Sequence, residues 1–453
     1  MINQRRFSFG AGLVGSVRRT ERPHHRQTRI AQIVLALMLG FGLSFGAATQ
    51  PITAQESGAA MLAVIGDDGN LSIYDAAGQN PRAITTDATP GLKLYQWPTW
   101  STDGRLAFFG ASGAISNPYR LGVFVVRDPA TSLAYETAWQ ATDEVFTYAY
   151  WSTGDCGAGN CRDLALLFTT DGLPDLAVRM IRDDGKQFTD RIAGRAAPFY
   201  YSFSPDGKRM IWHRFGTQIE LYDADTNKVT TTLADAPGSF ASPMWSPVDE
   251  RLLFGVQGER ETTDLVVATG DERQTLVSGI ENNVSFAWSA DATKISYLPS
   301  GGKLTVIDAQ TGAEVAQATQ SNVFAHFWSP QGDRIAYLRL NRGTPGLDAQ
   351  YRPNGHTASV SQQSLTLTWF VLDVATGQTT SLVDFYPTQA MIYYLNFFDQ
   401  FSRSHRLWSP DGQFVVYGDS DPANNDRVML IDTRVPGQPL VVAPGSLGVW
   451  SWR

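Results

Sequence analysis

Eight pairs of an aromatic residue and serine hold comparable places in a repeating phrase of this 453-residue chain. They are Trp100-Ser101, Trp151-Ser152, Phe203-Ser204, Trp245-Ser246, Trp288-Ser289, Trp328-Ser329, Trp408-Ser409 and Trp450-Ser451, spaced by 51, 52, 42, 43, 40, 80 and 42 residues. The stretch 405–419, "HRLWSPDGQFVVYGD", shows the local chemistry best. Pro410 presets φ for the first central position of a turn, Asp411 can bond its own backbone, and Gly412 accepts the positive φ that closes it. Phe414 to Tyr417 is then β-branched and aromatic, as in a strand packed on both faces. A lone hairpin is marginal in water, so the phrase must belong to a larger assembly. Strands repeating with a period near 42 residues indicate a propeller. One unit predicts its four strands plainly, at 284–290, 294–300, 303–312 and 314–320.

Trp408-Ser409-Pro410-Asp411-Gly412, and Ser204-Pro205-Asp206-Gly207 after Phe203, resemble the W-S-P-D-G repeat of TolB-like propellers. Looser copies stand at Ser246-Pro247-Val248-Asp249, Ser289-Ala290-Asp291 and Ser329-Pro330-Gln331-Gly332. The resemblance covers nearly all of residues 60–453 and implies the fold. It implies no single function, because such repeats serve scaffolds, partner-binding proteins and non-catalytic domains of peptidases. Three strands at 61–68, 70–76 and 81–87 lack an aromatic-Ser strand before them, and the strand at 448–453 lacks partners after it. The expected fold is therefore all-β: a single eight-bladed β-propeller over residues 56–453. Its four-stranded antiparallel blades would be closed by pairing of the C-terminal strand with the N-terminal strands.

Residues 1–55 read differently. Seven arginines between Arg5 and Arg29 precede the apolar run Ile30 to Ala48, and small residues follow. That order describes an export signal or an N-terminal membrane anchor. Membrane contact is expected only through residues 30–48, if the segment stays uncleaved. Without residues 1–55, 29 Lys and Arg remain against 43 Asp and Glu. So acidic a surface repels phosphate backbones, which excludes nucleic acid as an expected partner. The chain is expected outside the cytoplasm: periplasmic, secreted, or anchored on the outer face.

Cys156 and Cys161 are expected to form a disulfide across a Gly-rich loop, as suits an exported chain. The one G-x-S-x-G match, Gly42 to Gly46, lies inside the export segment and has no catalytic context. His213, His326, His356 and His405 read as packing residues, and the acidic loop 418–426 as turn chemistry. No catalytic set, metal or cofactor is expected from these patterns.

The 80-residue gap holds two insertions, 341–363 and 386–406. In a four-stranded antiparallel blade, the loop after strand two and the loop after strand four leave on the same face. Both insertions, and the 418–426 loop, therefore crowd one rim of blades seven and eight. They carry Tyr351, Arg352, His356, Tyr393, Tyr394, Phe398, Asp399, Arg403, His405 and Arg406. Aromatics with arginine are the composition of recognition surfaces. The expected function is an extracytoplasmic binding or scaffold propeller that presents this rim to a protein or cell-envelope partner. The bland alternative is that the aromatics fold the insertion onto the blade edge or cap the channel. A different class of function is an enzyme at the channel mouth, a lyase or hydrolase acting on a saccharide or peptide.

Overall fold

In five of the eight aromatic-Ser pairs the serine, more than the aromatic, closes the hairpin. Ser409 Oγ accepts from the Phe414 amide at 2.9 Å and donates to Asp411 Oδ1. Asp411 Oδ1 in turn accepts from the Gln413 amide, and Gly412 sits at φ 70°. Ser101, Ser204, Ser289 and Ser329 accept in the same way from the amides of Arg105, Arg209, Lys294 and Arg334. All five serines are buried. A buried hydroxyl that is fully hydrogen-bonded stabilises the turn, and one left unbonded would cost it.

These hairpins build an antiparallel β-propeller in the computed structural model, which describes residues 60–113, 120–142, 144–156, 160–170, 176–341 and 365–453. Residues 1–55, expected to be an export signal or membrane anchor, fall outside the described residues. The first sheet contains Lys93–Trp100, Leu106–Ser112, Arg120–Val126 and Glu136–Ala141, ordered from the innermost strand outward. Five more four-stranded sheets follow, with innermost strands Glu144–Trp151, Phe199–Phe203, Met244–Trp245, Val284–Trp288 and Val323–Trp328. The four strands predicted from the unit at 284–320 appear as Val284–Trp288, Lys294–Pro299, Thr305–Asp308 and Glu314–Gln317.

The expected eight blades must be corrected to seven. The seventh sheet has six strands, ordered Phe414–Ser420, Asp426–Asp432, Leu440–Trp450, Leu62–Gly66, Leu71–Tyr74 and Arg82–Ala83. The repeat overcounts because Leu440–Trp450 runs through 11 residues without a turn. Its first part pairs with Asp426–Asp432 and its second with Leu62–Gly66, as in Leu62 opposite Trp450. Trp408 adds only an isolated bridge to Val415. Trp408 and Trp450 therefore belong to one sheet. Nor do hydrogen bonds close the ring. The two chain ends pair inside this single sheet, and among the described residues no backbone ladder joins one sheet to the next.

Neighbouring sheets meet instead through tryptophans. Trp151 Nε1 donates to the Thr99 carbonyl at 3.0 Å, Trp408 Nε1 to Phe327 at 2.9 Å, and Trp100 Nε1 to Val449 at 3.1 Å. Each acceptor directly precedes the aromatic of the preceding pair. Arg209, Arg251 and Arg334 lie over the rings of Trp245, Trp288 and Trp408, each reaching from the sheet before. A flat indole fills the wedge between sheets, and the guanidinium covers its open face.

Candidate functional site

Two short helices break the all-β pattern, and both come from the second insertion: α1, Gln389–Asn396, and α2, Phe398–Ser404. Met391, Tyr394 and Leu395 are buried at i, i+3 and i+4, a helical period in a chain whose other elements repeat every two residues. Thr388 caps α1 by accepting from the Met391 amide, and donates to the Ser446 carbonyl at 2.7 Å. Gly418 permits this approach, since a Cβ there would stand 2.5 Å from both Thr388 Oγ1 and the Ser446 carbonyl oxygen.

The second helix enters the central channel. Phe401 is buried with its ring centroid 5.0 Å from Trp97 of the first sheet and 5.0 Å from Tyr148 of the second. Tyr148 donates its hydroxyl to the Gln400 carbonyl at 2.9 Å. Burial, and then the charge of Asp399, raise the pKa of Tyr200 in the third sheet. Arg403 donates to the carbonyls of Pro243 and Ser242, at the entry to the fourth sheet, at 2.7 and 3.2 Å. Phe398 packs on His326 and Phe327 of the sixth sheet, with centroids 5.7 and 6.2 Å away. One helix thus touches the inner edges of four sheets, which places it as a plug in the channel.

Trp97, Tyr148, Tyr200, Ser242 and His405 stand three residues before Trp100, Trp151, Phe203, Trp245 and Trp408. That shared repeat position is the inner surface that receives the plug. Trp97 reaches it through a left-handed backbone, φ 53°, at a bulge where the pairing slips between Gln96 and Thr99. A bulky residue rarely adopts that conformation, and here it turns the indole onto Tyr393 and Phe401.

His405 is fully buried. Thr99 Oγ1 donates to the Trp97 carbonyl, so it accepts from His405 Nε2 at 2.9 Å, and Ser404 Oγ lies 2.6 Å from Nδ1. This network assigns a neutral Nε2–H tautomer. Burial pushes the pKa of His405 and of His326 down to about 3. Burial pushes Asp399 the other way, up to about 7, against the opposing pull of Arg403. Asp399 and Tyr200 are both half-buried.

The residues expected to form the rim separate accordingly. Tyr394, Arg403 and His405 are buried in the channel packing, while Tyr393, Phe398, Asp399 and Arg406 are half-buried. Arg406 stacks on Trp452, 4.7 Å from its ring centroid. Tyr351, Arg352 and His356 lie outside the described residues. The sequence reading missed Trp97, Tyr148, Tyr200, Ser242, Gln400 and Phe401. Aligning the third position before each aromatic-Ser pair would have exposed the first four.

Cys156 and Cys161 form the expected disulfide. It closes the loop that carries Asn160, whose backbone carbonyl and side-chain oxygen accept from Arg105 Nη2 at 2.8 and 2.6 Å. Arg105 is itself buried against Asp183, 3.1 Å away, and joins an ionic network across the first two sheets. Elsewhere, a groove of about 580 Å³ between the fourth and fifth sheets is lined by Asp249, Arg251, Arg273, Asp291 and Asp308. It is remote from the plug, and its arginines are already paired with Asp249 and Asp235. Among the described residues no group of three or more His, Cys, Asp or Glu could hold a metal ion, and no helix is long and apolar enough to cross a membrane.

No family model matches the chain, and no curated protein matches it. Solved structures similar to it include TolB from Acinetobacter baumannii, at 14% identity over 79% of this chain and 82% of that one, TM-score 0.34. The β-propeller domain of the trilobed protease from Pyrococcus furiosus is another, at 10% identity over 78% and 99%, TM-score 0.47. So is an oligogalacturonate lyase from Vibrio parahaemolyticus, at 10% identity over 82% and 97%, TM-score 0.45. At such values the likenesses carry nothing about the site.

Proposed function

We propose that this chain works outside the cytoplasm as a binding propeller, docking a protein or cell-envelope partner on the face that α1 and α2 enter. The observation that carries this is that four of the ten exposed large apolar side chains among the described residues lie near this face. Leu92, Leu94 and Val145, at the starts of the first two innermost strands, are 54%, 37% and 64% exposed. Phe215, in the hairpin after the third sheet's second strand, is 46% exposed. Up-and-down connectivity sets all four on the insertion-bearing face. Exposed apolar groups gathered on one face mark an interaction site more often than scattered ones do.

The contact surface is thus proposed on the first three sheets, because most of the second insertion's own rings are taken up by channel packing. The disulfide and the export-type segment, residues 1–55, support the compartment. An enzyme at this channel mouth is less well supported, since His326 and His405 are buried, neutral and enclosed by rings.

Crosslinked capture of the partner from the producing cell's envelope tests the reading. Val145→Asp and Phe215→Asp should each reduce capture at least tenfold while leaving the melting temperature unchanged. Undiminished capture by both variants would refute the docking face.

A further inference from the structure

Arg403 is a buried cation, 8% exposed, whose only acceptors are the carbonyls of Ser242 and Pro243. It forms no ion pair among the described residues, and its Nε has no hydrogen-bond partner. Gln400 lies three residues earlier, on the same helical face, and is 4% exposed with Nε2 unpartnered. Ser242 is 4% exposed and its hydroxyl is likewise unpartnered. Because the Ser242 carbonyl accepts from Arg403, that hydroxyl belongs to the residue beside the guanidinium. Buried polar groups are normally satisfied, and a buried charge without a counter-charge is costly. Helix spacing sets Gln400 beside Arg403, and the carbonyl bond sets Ser242 beside it, so one buried guanidinium has two residues with unpartnered donors as neighbours.

We propose that Arg403, Gln400 and Ser242 form a binding site in the channel for a small oxyanion, preferentially a carboxylate. The Nε edge of a guanidinium offers two parallel N–H groups that match the two oxygens of a planar carboxylate. The Gln400 amide and the Ser242 hydroxyl donate to the remaining lone pairs. Asp399, the acid one turn away, attracts the guanidinium from a distance but makes no ion pair with it among the described residues, so it leaves the Nε edge open. The site is independent of the docking face, and either can fail alone.

Calorimetric titration and thermal melting of the mature chain test it, with acetate, malonate and glucuronate as probes. Phosphate and sulfate provide the tetrahedral comparison, and chloride the ionic-strength control. A saturable rise in melting temperature with at least one carboxylate, absent with chloride, is expected. Gln400→Leu should weaken that binding at least tenfold, and Arg403→Met should abolish it. If Arg403→Met does not fold, Gln400→Leu and Ser242→Ala carry the test, since neither removes the bonds from Arg403 to the two carbonyls. No saturable response to any carboxylate, which is the result if the groups hold only water, would overturn the proposal. So would a response to phosphate or sulfate alone, or equal carboxylate affinity in Gln400→Leu and Ser242→Ala.

Discussion

Replacing Phe401 by alanine asks whether the helical insertion is part of the core or an ornament on the rim. Its ring is 1% exposed and has five aromatic neighbours: Trp97, Tyr148, Tyr393, Tyr394 and His405, with centroids 4.9 to 5.9 Å away. Truncating such a phenylalanine removes its transfer free energy and leaves a cavity between the first two sheets and α1, costing about 3–5 kcal/mol. The unfolding entropy of a domain of roughly 400 residues is on the order of 0.8 kcal/mol/K near the midpoint. The melting temperature should therefore fall by about 4–6 °C, read by near-ultraviolet circular dichroism. Amide exchange across residues 389–404 should quicken in step, because α2 loses its deepest anchor. A melting point within 1 °C of the parent, with exchange in the helices unchanged, would refute the plug.

Three further outcomes follow from buried polar chemistry. Burial raises Asp399 to about 7, so between about pH 4 and 7 the folded chain binds more protons than the unfolded one and stability declines as pH rises; Asp399→Asn should lack this decline and melt above the parent at pH 8, and parallel melting curves from pH 4 to 8 would count against it. His326 is 2% exposed with both ring nitrogens unpartnered, so His326→Leu should stabilise by about 1 kcal/mol in a denaturant titration, and a loss of stability would show that the imidazole has a partner. Reducing Cys156–Cys161 opens a loop of sequence separation 5, so it should cost about 2 kcal/mol, free Asn160 from Arg105 and leave the sheets folded; two reactive thiols in the native protein would end that account.

What the sequence determined alone is what acts within a few residues. Ser409, Asp411 and Gly412 close their turn through bonds spanning no more than five positions, so the phrase announced its hairpin and the period announced a propeller. The disulfide was legible for the same reason. The number of sheets was not, because it depends on whether Leu440–Trp450 turns or runs straight. Only pairing with Leu62–Gly66, at the other end of the chain, decides that. The insertion's aromatics posed the same difficulty. Tyr394 and Phe401 have the composition of a recognition surface, yet they are buried in the channel. Arg403 meets Pro243 across 160 positions, and Tyr148 meets Gln400 across 252. Side-chain chemistry alone cannot distinguish an aromatic group bound for a partner from one bound for the protein's own interior, since both bury the same apolar area. The arrangement of the sheets made the difference by bringing four inner strand edges around one helix, and only the tertiary structure supplies that enclosure.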